Sequence, residues 1–194
     1  NFKKIIGDGS NFGIKIEYLE QKKPNGLPEA FIIGEKFINN QSIALILGDN
    51  FFHGSGLGRR LELFKNVNGA QIFGYHVQNP STYGVASVNS NVVVSLEEKP
   101  AKPLSDYAVT GLYFYDETAV SRTKSLPRSP RGELEVTDLN RSYMADNQLR
   151  VKTFARGTTW LDMGTPATLL EAAEYVRIVQ DRQGLLIGSP EEAA

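Results

Sequence analysis

The chain has 194 residues, of which 41% are hydrophobic and 22% charged, and its formal net charge is −1. This length can bury the core of one domain, and the composition is typical of a globular protein. The low net charge argues against a nucleic-acid or membrane-surface partner, and the lack of cysteine excludes disulfides, thiolate metal sites and cysteine nucleophiles. Because the lack of cysteine also fits the cytosol, we expect a cytoplasmic protein. No stretch is apolar over a membrane-spanning length, and no signal-peptide pattern is found.

The first part of the chain predicts short helices and one buried strand. Residues 2–6 look like the end of a helix, and residues 14–18 alternate between apolar and polar as a strand does. Pro28 suits a first helical turn, and helical spacing continues to about Ile38. The run at 42–47 is almost continuously apolar, which predicts a strand buried on both faces, as in the centre of a parallel sheet.

The rest of the chain alternates between strands and helices. Helices are predicted at 57–67, 116–124, 137–146 and 166–180. Strands are predicted at 71–77, 83–89, 92–97, 107–115 and 149–156. Thr137 is the expected N-cap of its helix, and residues 89–91 are the expected turn of a hairpin. This alternation predicts an α/β fold, with a mixed, mostly parallel central sheet flanked by helices in a single domain.

Two aspartates follow predicted strands. Asp49 comes after the strand at 42–47, and Asp162 lies between a strand and the helix that opens at Pro166. Ligands of open α/β sheets bind at the carboxyl ends of the strands, and Mg²⁺ typically takes one or two carboxylates, with water and substrate phosphates as its other ligands. A shared Mg²⁺ is therefore one interpretation. The alternatives are a turn-capping role for Asp49 and a helix N-terminal charge for Asp162.

Two cations are placed where a phosphate can bind. Lys99 ends the predicted hairpin, and the following Pro100 biases it toward an extended backbone. Arg131 lies in a loop before a helix. Lys99 can instead belong to a solvated charge cluster, and Arg131 can simply pair with Glu133 or Glu135. With no evident nucleophile or general base, this inventory suits a reaction whose nucleophile is already charged, such as a sugar phosphate attacking a nucleoside triphosphate.

Six segments, in this order, resemble the bacterial glucose-1-phosphate thymidylyltransferases. They are L-I-L-G-D-N at 45–50, Y-G-V at 83–85, S-L-E-E-K-P at 95–100, Y-A-V-T-G-L-Y-F-Y-D at 107–116, R-G-E-L-E-V-T-D at 131–138 and W-L-D-M-G-T at 160–165. The resemblance implies a Rossmann-like nucleotide-diphospho-sugar transferase fold and Mg²⁺-dependent transfer of dTMP from dTTP to glucose 1-phosphate. It also implies a homo-oligomer, usually a tetramer, whose product dTDP-glucose is a precursor of dTDP-rhamnose and other deoxysugars.

The resemblance also implies roles for individual residues. Asp49 and Asp162 would hold Mg²⁺, and Lys99 and Arg131 would bind the phosphate of the sugar phosphate, so that Asp49, Lys99 and Arg131 form the catalytic set. Gln21 and Gly26 would contact the thymine edge. The remaining substrate contacts would come from Asn50, Tyr83, Gly84, Glu98, Val109 and Tyr113.

The chain departs from this family's pattern at several points. It has G-L-P-E-A at 26–30 where the family commonly has G-L-A-Q-A, and Met163 stands where a threonine is usual. Residues 52–55 differ from the family's usual segment near its regulatory site, which puts feedback inhibition in doubt. The family's opening loop, G-G-x-G-T-R-L, has no counterpart here, so we expect a fragment of a longer protein that is inactive alone.

Three alternatives remain at this stage. A UTP-dependent uridylyltransferase of the same superfamily shares the general pattern. A metal-dependent glycosyltransferase usually presents D-x-D after a strand, whereas residues 49–51 here are D-N-F. A non-catalytic sugar-phosphate-binding module fits the missing loop but not the retention of Asp49, Lys99, Arg131 and Asp162.

Overall fold

The computed structural model describes residues 2–89 and 92–189, which form seven α-helices and eight β-strands. The helices are α1 (Phe2–Ile6), α2 (Glu29–Ile33), α3 (Glu35–Ile38), α4 (Leu57–Leu61), α5 (Ala119–Lys124), α6 (Val136–Ala145) and α7 (Pro166–Gln183). The strands are β1 (Ile43–Ile46), β2 (Asn50–His53), β3 (Ala70–His76), β4 (Gly84–Asn89), β5 (Val92–Glu98), β6 (Tyr107–Tyr115), β7 (Leu149–Thr153) and β8 (Thr159–Asp162). No helix in this part of the chain is long and apolar enough to cross a membrane.

Six strands form one mixed sheet in the order β1-β6-β3-β7-β5-β4, and β2 pairs with β8 in a separate two-stranded ribbon. The α/β class with a mixed sheet is confirmed. Among the described strands, β3 and β7 run parallel, while the other pairs are antiparallel. Antiparallel pairs are more frequent than we expected because β4, β5 and β6 follow one another with no helix between them.

The prediction that residues 42–47 form a central strand buried on both faces is wrong. Within the described chain, β1 lies at the end of the sheet order and runs antiparallel to β6, with Ile43 opposite Tyr115. Its residues alternate between half-buried and exposed, and Ile46 is 58% exposed. A continuous apolar run indicates that a strand can be buried, but it carries no information about which neighbours cover it.

The core lies between the six-stranded sheet and helices α2, α5 and α6. Ile72 on β3, Tyr115 on β6, and Leu139 and Tyr143 on α6 are completely buried in it. The Tyr115 hydroxyl donates to Oδ1 of Asn140 at 2.7 Å, so this ring is buried without leaving its polar end unpaired. This packing gives the carboxyl-terminal half of β6 a rigid backing.

Several predicted elements have different boundaries in the structure. Residues 14–18 are not a strand, and Ile14 is exposed. The helix predicted at 57–67 is one turn of α-helix followed by a 3₁₀ turn at Glu62–Phe64, and β7 is shorter than predicted. Ser90 and Asn91 of the predicted hairpin turn lie outside the described residues.

The predicted first residues of helices α7 and α6 can be compared with the structure. α7 begins as expected, with Pro166 in its first turn and a capping box between Thr165 and Thr168. For α6 the prediction was wrong, since Glu135 occupies the N-cap position and Thr137 lies inside the first turn. The hydroxyl of Thr137 bonds instead to a residue distant in sequence, which local spacing does not reveal.

Candidate active site

A cleft of about 190 Å³ opens between strands β4, β5 and β6 and the start of α6. The structure places five predicted sugar contacts, one predicted phosphate contact and one predicted metal ligand on its walls: Tyr83, Gly84, Glu98, Val109, Tyr113, Lys99 and Asp162. Residues from four separate segments therefore meet at one place, as the resemblance implied.

Glu98 and Tyr113 form the polar floor of this cleft. The Thr137 hydroxyl donates to Oε2 of Glu98 at 2.6 Å and fixes the carboxylate in place. Burial, and then the charge of Glu98, raise the pKa of Tyr113 above its usual range, so its hydroxyl stays protonated at neutral pH. The sequence predicts only a capping role for Thr137, although this residue lies within the R-G-E-L-E-V-T-D run.

Asp49 and Asp162 converge at the ribbon formed by β2 and β8. Asp162 lies opposite Asn50 in the pairing, and the N–H of Met163 donates to the carbonyl oxygen of Asp49 at 2.7 Å. A Cβ added at Gly164 would lie 3.1 Å from Oδ1 of Asp162 and 3.7 Å from Oδ2 of Asp49. Both carboxylates thus approach the same point, next to a residue without a side chain.

The donor set at this point fits a divalent cation. Oδ1 of Asp49 accepts a hydrogen bond from Asn50 at 2.8 Å, and Oδ1 of Asp162 accepts one from the N–H of Gly164 at 3.0 Å. Within residues 2–89 and 92–189, no hydrogen bond or ion pair engages Oδ2 of either aspartate. The same residues contain no group of three or more His, Cys, Asp or Glu suited to a metal. The protein would therefore contribute two carboxylates, a number that suits Mg²⁺.

Asn50 connects this carboxylate pair to the wall of the cleft. While its Nδ2 donates to Asp49, its Oδ1 accepts from the N–H of Gly111 on β6 at 3.0 Å and from the indole Nε1–H of Trp160 at 2.7 Å. Trp160 packs in turn against Tyr83, with ring centroids 5.2 Å apart. The side chain of Asn50 thus supports Asp49, and its predicted substrate contact stays a prediction. The sequence alone predicts no role for Trp160, although it is the single tryptophan of the chain.

The backbone of Lys99 differs from the prediction. Its φ of 43° is left-handed, whereas Pro100 predicted an extended residue. The N–H of Lys99 donates to the carbonyl oxygen of Tyr83 at 3.0 Å, at the end of the β4–β5 ladder. This conformation costs a non-glycine residue about 1–2 kcal/mol, so tertiary hydrogen bonding overrides the local preference.

Arg131 forms ion pairs with glutamates, which was one of the two interpretations of the sequence. Its Nη2 lies 2.9 and 3.1 Å from the two carboxylate oxygens of Glu135 and 3.6 Å from Glu133. Burial raises the pKa of Glu135, but the hydrogen bond from Arg131 and the charges of Arg131 and Lys99 outweigh it and hold the pKa below its usual range. Nε and Nη1 of Arg131 have no partner in the described chain and are available to a phosphate.

Gln21 and Gly26 come together before α2, and their predicted contacts with the thymine edge stay predictions. Nε2 of Gln21 donates to the carbonyl oxygen of Gly26 at 3.0 Å. Gly26 has a φ of 102°, and a Cβ there would lie 1.9 Å from the carbonyl oxygen of Leu134, so only glycine fits. The N–H of Leu134 also donates to the carbonyl oxygen of Asn25 at 2.7 Å, which ties this loop to the segment before α6.

The nucleotidyl transferase family matches residues 1–177 of this chain. The chain belongs to that family. Among the relatives of this nucleotidyl transferase are the glucose-1-phosphate thymidylyltransferase of Mycolicibacterium smegmatis, 50% identical over 194 residues, and that of Neisseria meningitidis serogroup A, 50% identical over 196 residues. The alignments cover 100% of this chain and 67% and 68% of the two relatives. The resemblance drawn from the six motifs is thereby confirmed.

Solved structures support the fold assignment. A crystal structure assigned as a glucose-1-phosphate thymidylyltransferase from Bacillus anthracis, in complex with sucrose, superimposes with a TM-score of 0.82 at 33% identity. The match covers 97% of this nucleotidyl transferase and 73% of that chain. A UDP-glucose pyrophosphorylase complexed with UDP-glucose matches with a TM-score of 0.75 at 22% identity, which shows the shared fold alone.

Proposed function

We propose that this nucleotidyl transferase acts as a glucose-1-phosphate thymidylyltransferase, transferring dTMP from dTTP to glucose 1-phosphate with release of pyrophosphate. The observation that carries the proposal is the meeting of Asp49 and Asp162 at one end of the cleft that contains Glu98 and Lys99. Relatives of that name, 50% identical over the whole chain, support the choice of reaction.

The reaction requires alignment of two phosphates more than proton transfer, because the attacking phosphate oxygen is already charged. In the step, a bond forms between this oxygen and the α-phosphorus of the nucleotide, and the bond from that phosphorus to the pyrophosphate oxygen breaks. Lys99 and Arg131 would hold the sugar phosphate, with Glu135 keeping Nη2 of Arg131 in place so that Nε and Nη1 face the ligand. Glu98, held by Thr137, would accept hydrogen bonds from the hydroxyls of the sugar.

The proposal includes a Mg²⁺ ion between Asp49 and Asp162. When bound, the ion neutralises charge on the phosphates. In this proposal the protein positions the two carboxylates. It does so through the pairing of β2 with β8 and the hydrogen bond from Asn50 to Asp49. Gly164 leaves room beside both carboxylates, since a side chain there would enter the space that they share.

The remaining details rest on the family resemblance. We propose a cytoplasmic homo-oligomer whose product feeds deoxysugar synthesis such as that of dTDP-rhamnose. A uridylyltransferase is the less supported alternative, because the UDP-glucose pyrophosphorylase shares only the fold at 22% identity.

Pyrophosphate release tests the proposal, with protein expressed from the complete gene that encodes these residues. We expect release that requires dTTP, glucose 1-phosphate and Mg²⁺ together, that stops with EDTA, and that is weak when glucose 6-phosphate replaces glucose 1-phosphate. Release with UTP but not with dTTP would assign the chain to the uridylyltransferases. Binding of glucose 1-phosphate without any release would instead make it a non-catalytic binding module.

A further inference from the structure

The side-chain amide of Asn140 is buried at the wall of the cleft. Asn140 lies on α6, three residues after Thr137, so the two side chains are on the same face of the helix. Both residues line the cleft, and Asn140 is only 1% exposed. Polar groups that are buried this deeply are nearly always hydrogen-bonded, so each end of this amide needs a partner.

One end of the amide has its partner within the protein. Oδ1 of Asn140 accepts from the hydroxyl of Tyr115 at 2.7 Å, and Tyr115 is fully buried. Within residues 2–89 and 92–189, this hydroxyl makes no other hydrogen bond. If the amide were flipped, Nδ2 would donate to the tyrosine oxygen, and the phenolic hydrogen would be left without an acceptor. Because a buried donor without a partner is costly, the chemistry favours the orientation with Oδ1 toward Tyr115.

The other end of the amide, Nδ2, faces the cleft. It has no hydrogen-bond partner among the described residues. Four buried side-chain oxygens in this part of the chain lack both a partner and accessible surface, and they belong to Ser87, Thr110, Thr123 and Ser129. Nδ2 of Asn140 is not one of these enclosed atoms. The small accessible surface of Asn140 therefore includes its amide nitrogen, and it opens to the cleft that this residue lines.

A second polar atom on the same cleft also lacks a partner. Tyr113 is 4% exposed, and its hydroxyl makes no hydrogen bond in the part of the chain that the structure describes. Burial and then the nearby carboxylate of Glu98 raise the pKa of Tyr113, so its hydroxyl keeps its proton. A hydroxyl group on a ligand can accept from Asn140 and at the same time donate to Tyr113 or Glu98. An apolar group in its place would leave the amide hydrogens unpaired.

We propose that Asn140 is a specificity-determining residue, whose amide nitrogen donates a hydrogen bond to one hydroxyl of the glucose ring. The inference rests on the proposed function, because the sugar comes from it. The six motifs give Asn140 no role, since it lies two residues beyond the R-G-E-L-E-V-T-D run. A sugar phosphate without this hydroxyl leaves a desolvated N–H without an acceptor and is used less well.

The test measures kcat and KM of the full-length protein for glucose 1-phosphate and for the analogues that each lack a single ring hydroxyl, with dTTP and Mg²⁺ present. Asn140→Asp keeps an oxygen toward Tyr115 and replaces the donor with an acceptor. It should lower kcat/KM for glucose 1-phosphate by about tenfold, chiefly through KM. For one analogue, the one without the contacted hydroxyl, the loss should be about twofold or less, as a direct contact requires in a double-mutant cycle.

Tyr115→Phe provides the matched control, because it removes the hydrogen bond to Oδ1 and leaves the amide nitrogen in place. It should keep the wild-type preferences among the sugars. Adding Asn140→Leu to Tyr115→Phe replaces both partners with apolar groups, which leaves no buried polar group of this pair unmatched. This double variant should show the same analogue-dependent loss as Asn140→Asp, without the added charge.

An equal loss for all the sugars in both Asn140 variants would show that Asn140 only supports the packing of α6. That result, or unchanged kinetics, would overturn the role of Asn140 and leave the proposed function standing. If the wild type released no pyrophosphate with any of the sugar phosphates, the proposed function would fail and this inference with it.

Discussion

Two regions of the cleft hold their functional groups by different means. The cleft wall, formed by β4, β5 and β6, belongs to the six-stranded sheet, and Val109 and Tyr113 lie on the nine-residue strand β6, packed against the core. The carboxylate ribbon, formed by β2 and β8, has four residues in each strand. The side chain of Asn50 bonds within this region to Asp49 and Trp160 and joins it to the wall through the hydrogen bond that it accepts from the N–H of Gly111. The wall is fixed mainly by burial, whereas the ribbon relies on polar contacts beside its one buried residue, Trp160. Single polar substitutions should therefore disturb the ribbon more selectively.

The largest effect is expected at the edge of the wall, where a functional group contributes little to folding. Lys99→Ala should lower the turnover of the full-length enzyme by about 100- to 1000-fold, the scale for losing one positioned charge partner. Stability should barely change, because an exposed lysine adds little to it. Pyrophosphate-release kinetics measure the first effect and urea denaturation the second. Lys102→Ala, three residues along the same exposed stretch, is the control, and wild-type kinetics in Lys99→Ala would contradict the assigned role.

The ribbon is tested next by Asn50→Ala. The change removes the donor to Asp49 and leaves the N–H groups of Gly111 and Trp160 without their acceptor. Affinity for Mn²⁺, followed by electron paramagnetic resonance, should fall by about 10- to 100-fold, as is typical when a group supporting a metal ligand is lost.

Trp160→Phe sharpens this test, since it keeps an aromatic ring against Tyr83 and removes only one of the three hydrogen bonds. Its effect on Mn²⁺ affinity should be smaller than that of Asn50→Ala. Unchanged affinity in the Asn50 variant would mean that the ribbon positions its carboxylates without help from the wall, and the contrast between the two regions would disappear.

The smallest expected effect concerns the backbone of Lys99. Because φ is positive at this residue, glycine should fit better than any residue with a Cβ. Lys99→Gly should be more stable than Lys99→Ala by about 1 kcal/mol in urea denaturation, while both variants lose turnover alike. Equal stabilities would show that the left-handed conformation carries no strain at this position.

Much of the fold was predictable because regular elements leave local signals. The strands β3 and β6 were found from apolar and alternating runs, and α7 was found from the proline in its first turn. The convergence of Asp49 and Asp162 was proposed from their places after predicted strands, but the structure forms it through an antiparallel pair, with Asp162 as the last residue of β8 and Asp49 directly before β2. The position of β1 at the end of the described sheet was not predictable, because an apolar run does not indicate which strands lie beside it.

The site details that the sequence did not reveal depend on long-range partners. Thr137 meets Glu98, which is 39 residues away, and Trp160 meets Asn50, which is 110 residues away. The backbone of Lys99 is set by Tyr83 across the ladder, against the preference that Pro100 imposes. No local sequence pattern indicates that these residues will contact one another. The motifs show only which residue type stands at each position.

Leu134 links the loop that carries Gln21 to the segment that carries Arg131. Its N–H is bonded to the loop that carries Gln21, its carbonyl oxygen lies against Gly26, and Arg131 is three residues upstream on the same segment. Under the proposed function, a nucleotide bound at the loop would also restrain the segment proposed for the sugar phosphate, and part of the ordering entropy would be lost only once. Each substrate should consequently raise the affinity of the other by the same factor, so that the two binding steps show positive cooperativity within a single chain.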